Sequence, residues 1–120
     1  MKNIINKSIL LKKSRDDGLR ICVMRRIRPE YEFDVWMPVL APSEKLLKAY
    51  VINKKIGWRE FSVAYKKETL NKQKDILRHL VDWSKTKRIT LLCGESSARF
   101  CHRSLIVEAC EDIKKTYRTA

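Results

Sequence analysis

Apolar runs of strand length occur at three places along the chain. Residues 4–11 and 19–24 predict two strands, separated by a turn at 14–18 whose Asp and Gly residues favour tight turns. Residues 88–93 form a third run that is nearly apolar throughout, as is typical of the central strand of a parallel sheet. The pattern therefore predicts two strands near the start of the sequence and one buried strand near its end.

Apolar side chains recur at helical spacing in four other segments. Ser43 is a favourable N-cap for a helix through about residue 50, and residues 58–65 place aromatic side chains on one face of a second helix. A third helix is predicted from about residue 71, and a fourth from about Ala98 to Lys115. The expected buried stripe of the first helix is Leu46, Leu47, Tyr50 and Val51.

The order β-β-α-α-α-β-α predicts an α/β fold, in which a small, mainly parallel sheet is covered by helices in a single three-layer-like domain over residues 1–120. Residues 28–42 hold all three prolines and are interpreted as a loop with aromatic anchors. Ligands of such sheets bind beyond the carboxyl ends of the strands. Arg25 and Arg26 follow one strand and Cys93 ends another, so a shared site requires those two strand ends to lie side by side.

The chain is strongly basic. It carries 27 Lys and Arg against 14 Asp and Glu, a formal net charge of +13, and the surplus lies in the first two thirds of the sequence. A field of this sign favours phosphate-rich partners, of which nucleic acid is the commonest. A lysine-rich solvated surface is the alternative interpretation. The hydrophobic share of 44% excludes an intrinsically disordered chain.

The sequence carries no signal for a membrane or for secretion. No apolar run approaches the roughly 18 residues that span a bilayer. The first residues lack the apolar core and cleavage site of a secretory signal, which favours a cytoplasmic location. The cysteines are then expected to be reduced thiols, and Cys22 and Cys110 lie in apolar patterns that favour burial.

Chemically versatile side chains concentrate in the stretch Cys93-Gly-Glu-Ser-Ser-Ala-Arg-Phe-Cys-His-Arg103. A strand–loop–helix step here places backbone N–H groups and the positive end of a helix beside the strand end, where they favour an anion. The same groups favour the thiolate form of a nearby cysteine. The predicted ligand-binding residues are Arg25, Arg26, Ser96, Ser97, Arg99 and Arg103.

Two enzymatic interpretations use this stretch. Cys93 and Arg99 satisfy the C-x5-R spacing of thiol phosphatases and arsenate reductases, in which a thiolate attacks the substrate while amides and the arginine hold its oxygens. In the other, Glu95 and His102 act as an acid/base pair. The predicted catalytic residues are therefore Cys93, Glu95 and His102, although the loop has one glycine and no evident Asp general acid.

A metal site at Cys93, Cys101 and His102 is considered and not predicted. The spacing of the two cysteines fits no standard zinc pattern, and adjacent side chains on a helix diverge by about 100°. No metal and no cofactor is therefore expected. The structural alternative is that the two cysteines are packing residues and that His102 is a hydrogen-bonded histidine near the core.

Several short pieces occur in the order typical of one known family. They are Asp17-Gly18-Leu-Arg20-Ile21, Leu40-Ala-Pro-Ser43, Trp58-Arg-Glu-Phe61, Ile89-Thr-Leu-Leu-Cys93-Gly-Glu95 and Cys101-His102-Arg103. Over about residues 14–110 the chain resembles the YeaO-like uncharacterised family, domain of unknown function 488. The resemblance implies a compact cytosolic α/β protein of bacteria or archaea, without an assigned activity. It leaves Arg99 outside the shared pattern, which disfavours the C-x5-R interpretation.

The residues and the resemblance together favour a domain that binds a phosphate-bearing ligand, such as nucleic acid or a nucleotide, at a Cys/His/Arg site. The first alternative is an enzyme that uses Cys93 as a thiolate nucleophile or Glu95 with His102 as acid and base. The second alternative is a structural or protein-interaction domain without a ligand.

Overall fold

The computed structural model describes residues 3–94 and 101–119 of the chain. Strands β1 to β4 span Ile4–Ser8, Leu19–Cys22, Val35–Trp36 and Ile89–Cys93. Helices α1 to α4 span Glu44–Leu47, Trp58–Tyr65, Lys74–Ser84 and His102–Thr119. Helices α1 and α2 each continue into a π-helical segment, and short 3-10 turns lie at Arg15–Asp17 and Pro38–Leu40.

The four strands form one parallel sheet in the order β1-β4-β2-β3. Strand β4 lies between β1 and β2, and all five of its residues are buried. The prediction of an α/β fold with a small parallel sheet is therefore confirmed, as is the central position of the last strand. Because β4 pairs Cys93 with Ser8 and Leu92 with Cys22, the carboxyl ends of β1, β4 and β2 meet at one edge of the sheet.

Strand β3 corrects the interpretation of residues 28–42 as a loop. Two residues are too short for an alternating pattern, so the sequence carries no periodic signal for this strand. It forms because β2 supplies the partners: Asp34 N–H donates to the Arg20 carbonyl and Met37 N–H to the Cys22 carbonyl, both at 2.8 Å. Pairing across the sheet therefore determines this element.

The helices pack on the sheet face that carries Ile21 and Leu91. Ser43 caps α1 as predicted, since its hydroxyl accepts the Leu46 N–H at 3.2 Å. The Tyr65 hydroxyl donates to the Leu40 carbonyl at 2.6 Å, which satisfies its one polar group in the core. None of the described helices is both long and apolar enough to cross a membrane.

A buried ionic cluster covers the opposite face of the sheet. Asp17, at the end of the first 3-10 turn, accepts hydrogen bonds from the Arg20 guanidinium, from Lys7 Nζ at 3.1 Å and from the Ser14 N–H at 2.9 Å. The Thr90 hydroxyl of β4 donates to the Asp17 carbonyl at 2.7 Å. This Asp17 cluster therefore ties β1, β2 and β4 together by polar contacts centred on the buried Asp17, Arg20 and Thr90.

Gly18 turns the chain between the Asp17 cluster and β2. Its φ is 64°, and a Cβ built on it would lie 2.2 Å from the Arg88 carbonyl oxygen. We expect Gly18→Ala to lower the free energy of unfolding by about 3 kcal/mol, because both the backbone angle and the clash oppose a side chain. Urea unfolding measures the change. Gly57→Ala is the control, since nothing lies within 4 Å of its Cβ position. Equal losses of unfolding free energy in the two variants would contradict the special requirement for glycine at position 18.

The Asp17 cluster should control the acid stability of the fold. Burial alone would raise the pKa of Asp17, but hydrogen bonds from Ser14, Lys7 and Arg20 lower it below its ordinary value. A carboxyl with a lowered folded pKa stabilises the protein above its unfolded pKa, and that stability is lost as pH falls through the folded pKa. Asp17→Asn should therefore lower stability at neutral pH by about 3 kcal/mol and flatten its acid dependence. Urea unfolding across acidic pH measures the stability and its pH dependence, and Asp16→Asn, a change at an exposed carboxylate, is the control. Identical pH profiles of stability for the two variants would refute the role of Asp17 in acid stability.

Candidate functional site

A cavity of about 510 Å³ opens at the carboxyl ends of β2 and β4. Its polar wall brings together Arg25 and Arg26, which follow β2, with Cys93 at the end of β4 and His102 at the start of α4. The two strand ends therefore lie side by side, as a shared site requires. This placement follows from the parallel pairing of β4 with β2.

Cys93, Cys101 and His102 form a compact group at this cavity, here called the Cys–His cluster. The Cys101 thiol donates to Cys93 Sγ at 2.8 Å, and His102 Nδ1 lies 3.7 Å from Cys101 Sγ and 3.9 Å from Cys93 Sγ. The three residues are 5%, 2% and 6% exposed. The cluster is thus almost completely desolvated although it lines the cavity.

The imidazole of His102 is oriented by the end of β2. Its Nε2 lies 2.8 Å from the Val23 carbonyl oxygen. Because a carbonyl oxygen can only accept, Nε2 carries a proton, and Nδ1 is the ring nitrogen that faces the two sulfurs. The Tyr65 ring packs edge-on against the imidazole, with centroids 5.6 Å apart. Both the tautomer and the ring plane are therefore set by tertiary contacts.

The placement of Cys101 corrects the sequence argument against a shared Cys–His site. That argument assumed that Cys101 and His102 both lie on the helix, but α4 begins at His102 and Cys101 precedes it. The N–H and the hydroxyl of Ser104 donate to the Cys101 carbonyl at 3.0 and 2.7 Å. With Cys101 outside the helix, the two adjacent side chains converge on Cys93. Ala98, the expected start of the helix, lies outside the described residues.

The thiols of Cys22, Cys101 and Cys110 are weaker acids than an ordinary cysteine, because their pKa values are raised. Donation to Cys93 and burial raise the pKa of Cys101 well above its ordinary value. Burial raises the pKa of Cys110 to about 12, and it also raises that of Cys22. Cys22 and Cys110 are fully buried, as their apolar patterns predict. Cys101 is therefore a protonated donor, and the Cys93 sulfur is its acceptor.

Arg103 supports the cluster from the side of β1. It is 1% exposed, and its Nε donates to Asn6 Oδ1 at 3.1 Å. Its Nη1 donates to the carbonyls of Lys7 and Cys93, both at 3.1 Å. The guanidinium thus links the ends of β1 and β4 to α4 and holds the backbone of Cys93. The sequence predicts Arg103 as a ligand-binding residue, whereas in the fold its buried guanidinium donates to these protein groups.

Arg25 and Arg26 lie exposed at the rim of the cavity. Arg25 donates through Nε and Nη2 to the Pro42 carbonyl at 3.1 and 2.9 Å. Arg26 pairs with Glu44 at 2.6 Å, and this hydrogen bond lowers the pKa of the Glu44 carboxyl. Lys48 adds a third cation to the rim. The predicted site residues Glu95, Ser96, Ser97 and Arg99 lie outside the described residues.

The apolar wall of the cavity is the part of the site that sequence reasoning missed. The sequence predicts Leu47 and Val51 in the buried stripe of its first helix, yet they are 37% and 41% exposed and line the cavity together with Tyr50 and Phe61. The spacing of apolar residues indicates that this helix has an apolar face, but it does not indicate which part of the protein packs against that face. In the fold, part of the apolar face borders the cavity at the strand ends.

The chain matches the model of a known protein family. The family model described as "Active DUF488-N3 subclade" matches residues 4–114, a range that includes all four strands and the whole cavity wall. The match agrees with the family that the sequence motifs resemble. No curated protein and no solved structure matches the chain.

Proposed function

The chain belongs to the DUF488 family, and we propose that the cavity at its strand ends binds a phosphate-bearing ligand. One observation carries the proposal: Arg25 and Arg26 share a cavity with the Cys–His cluster although the two regions are distant in sequence. Two strand ends that meet at one edge of a parallel sheet form the position where α/β folds bind ligands.

The charges at the rim favour an anion. Among the lining residues within 3–94 and 101–119, Arg25, Arg26 and Lys48 outnumber the single carboxylate of Glu44, and the whole chain carries a net charge of +13. The ion pair of Arg26 and Glu44 is exposed, so it contributes little and exchanges readily for a contact with phosphate. A guanidinium pairs well with a phosphate because two parallel N–H groups meet two oxygens.

The apolar wall favours a ligand with a flat apolar body beside its phosphate. The cavity of about 510 Å³ lies within the range of small-molecule sites. Tyr50 is partly exposed and contributes aromatic surface to the wall, and its ring packs on the buried Phe61 with centroids 4.6 Å apart. Stacking of a base on aromatic side chains is a common mode of nucleotide recognition. A nucleotide, free or within a single strand, therefore fits better than a DNA duplex.

Titration of the whole chain with a fluorescently labelled adenosine monophosphate, at low salt and with a chelator present, tests the proposal. We expect binding that weakens with added salt, and a loss of about tenfold or more in affinity for Arg25→Met combined with Arg26→Met, because two charged donors to the phosphate are removed.

Arg78→Met is the matched control, since Arg78 is an exposed arginine of α3 that pairs with Asp75 and lies outside the cavity wall. It should bind the probe nearly as the parent does. Absence of binding, or equal losses in the rim variant and in Arg78→Met, would refute the proposal.

A second candidate function is favoured by the hydrogen bond from Cys101 to Cys93. A sulfur that accepts a hydrogen bond from a thiol and faces His102 Nδ1 is suited to act as a nucleophile. In that enzyme the Cys93 thiolate attacks phosphorus, the leaving oxygen departs with a proton, and water then cleaves the S–P bond. His102 and Glu95 are the acid/base residues of this candidate.

Alkylation of the chelator-treated chain by iodoacetamide at neutral pH tests the second candidate. Cys93 should react at least about tenfold faster than Cys110, whose pKa is raised to about 12 by burial. His102→Gln should slow Cys93 selectively, because it removes the Nδ1 lone pair. Peptide mass spectrometry reads each site, and equal rates at Cys93 and Cys110 would exclude an activated nucleophile.

A further inference from the structure

The Cys–His cluster has the composition and geometry of a zinc site. We propose that Cys93, Cys101 and His102 bind one Zn²⁺ ion through two thiolates and Nδ1, with the fourth coordination position open to the cavity. The inference goes beyond the proposed nucleotide binding, because it concerns the occupant of the cluster whether or not the cavity holds a phosphate.

The ligand atoms are already close to the spacing that zinc requires. All three lie within 4.8 Å of one another. Tetrahedral bonds of about 2.3 Å to sulfur and 2.0 Å to nitrogen place sulfur and nitrogen about 3.5 Å apart and two sulfurs about 3.8 Å apart. The sulfur–nitrogen distances of 3.7 and 3.9 Å agree with this within a few tenths of an ångström. The sulfurs, now 2.8 Å apart, must separate by about 1 Å, which rotation of a thiol side chain provides.

The histidine distinguishes a metal site from a pair of thiols that merely pack together or form a disulfide. A disulfide needs no nitrogen, yet Nδ1 lies at nearly equal distances from both sulfurs. Its lone pair is free for a metal because Nε2–H is donated to the Val23 carbonyl. Donation of the second ring nitrogen to a carbonyl or carboxylate is the usual outer contact of a zinc-bound histidine.

Charge balance explains how the cluster can be buried with its ion. Zinc replaces the protons of two thiols, so one Zn²⁺ and two thiolates form a neutral centre that a desolvated site tolerates. Thiolate and imidazole ligands favour zinc over magnesium or calcium, which prefer oxygen.

The backbone holds the ligands in place before an ion binds. Arg103 fixes the Cys93 carbonyl at the end of β4, and Ser104 fixes the Cys101 carbonyl at the start of α4. Over residues 3–94 and 101–119, no fourth His, Cys or carboxylate joins the three ligands. Three protein ligands that line a cavity leave a position for water or for an anionic oxygen, as in catalytic zinc sites.

Cobalt substitution tests the proposal. The whole chain is reduced with a phosphine, stripped with a chelator, shown to retain its circular dichroism, and titrated with Co²⁺ and then Zn²⁺. We expect one Co²⁺ per chain, with the visible bands of tetrahedral cobalt and a thiolate-to-cobalt charge-transfer band, and displacement of both by Zn²⁺. Cobalt that binds without thiolate bands, or no binding by the folded chain, would overturn the proposal.

Ligand variants locate the ion. Cys101→Ala and His102→Gln should each lower the affinity for Zn²⁺ by about a hundredfold or more. Cys110→Ala and His79→Gln are the matched controls, because they remove a buried thiol and an exposed imidazole elsewhere and should leave the affinity unchanged. Equal losses in the controls would refute the assignment.

Protection from alkylation keeps the test decisive if a ligand variant fails to fold. In the parent chain, Zn²⁺ should protect Cys93 and Cys101 from iodoacetamide and leave the reactivity of Cys22 and Cys110 unchanged. Uniform labelling with and without Zn²⁺ would contradict the proposal. Since the nucleotide titration contains a chelator, either proposal can fail without the other.

Discussion

The parallel hydrogen bonding of β4 between β1 and β2 is the constraint on which the rest of the structure depends. Parallel strands end at the same edge, so the thiol that ends β4 lies beside the carbonyl of Val23 and the arginines that follow β2. In an antiparallel arrangement the same residues would lie at opposite edges. The contact between His102 and Val23 extends this constraint to α4. Helix α4 follows β4 in the chain, but the carbonyl that orients its first side chain belongs to Val23, directly after β2.

Two buried arginine side chains, Arg20 and Arg103, reinforce that sheet by hydrogen bonds to several of its segments. Arg20 belongs to the Asp17 cluster, and Arg103 joins α4 to the ends of β1 and β4. In the part of the chain that the structure describes, each buried side-chain nitrogen or oxygen has a hydrogen-bond partner. Buried charges therefore act here as crosslinks between elements, since each guanidinium donates to acceptors on more than one segment of the chain.

The cavity combines three environments that suit different parts of one ligand. Arginines occupy the rim, aromatic and aliphatic side chains form the wall, and the Cys–His cluster lies among the buried lining residues. A phosphate at the rim and an apolar body on the wall would leave the cluster to an ion or to a reacting atom. Zinc coordination by Cys93 would lower the nucleophilicity of its sulfur, because the cation withdraws electron density from the thiolate.

The sequence by itself determined the strand character of β4, the cap at Ser43, the glycine turn before β2 and the basic charge, because these depend on composition and on neighbours along the chain. Its motifs also identified the family and pointed to Cys93 and His102. Only the tertiary structure decided that β3 exists and that Arg103 binds strand carbonyls. It also decided that the adjacent side chains of Cys101 and His102 converge on Cys93 Sγ. Those features depend on hydrogen bonds between residues far apart in the chain, and no local pattern records where such partners will lie.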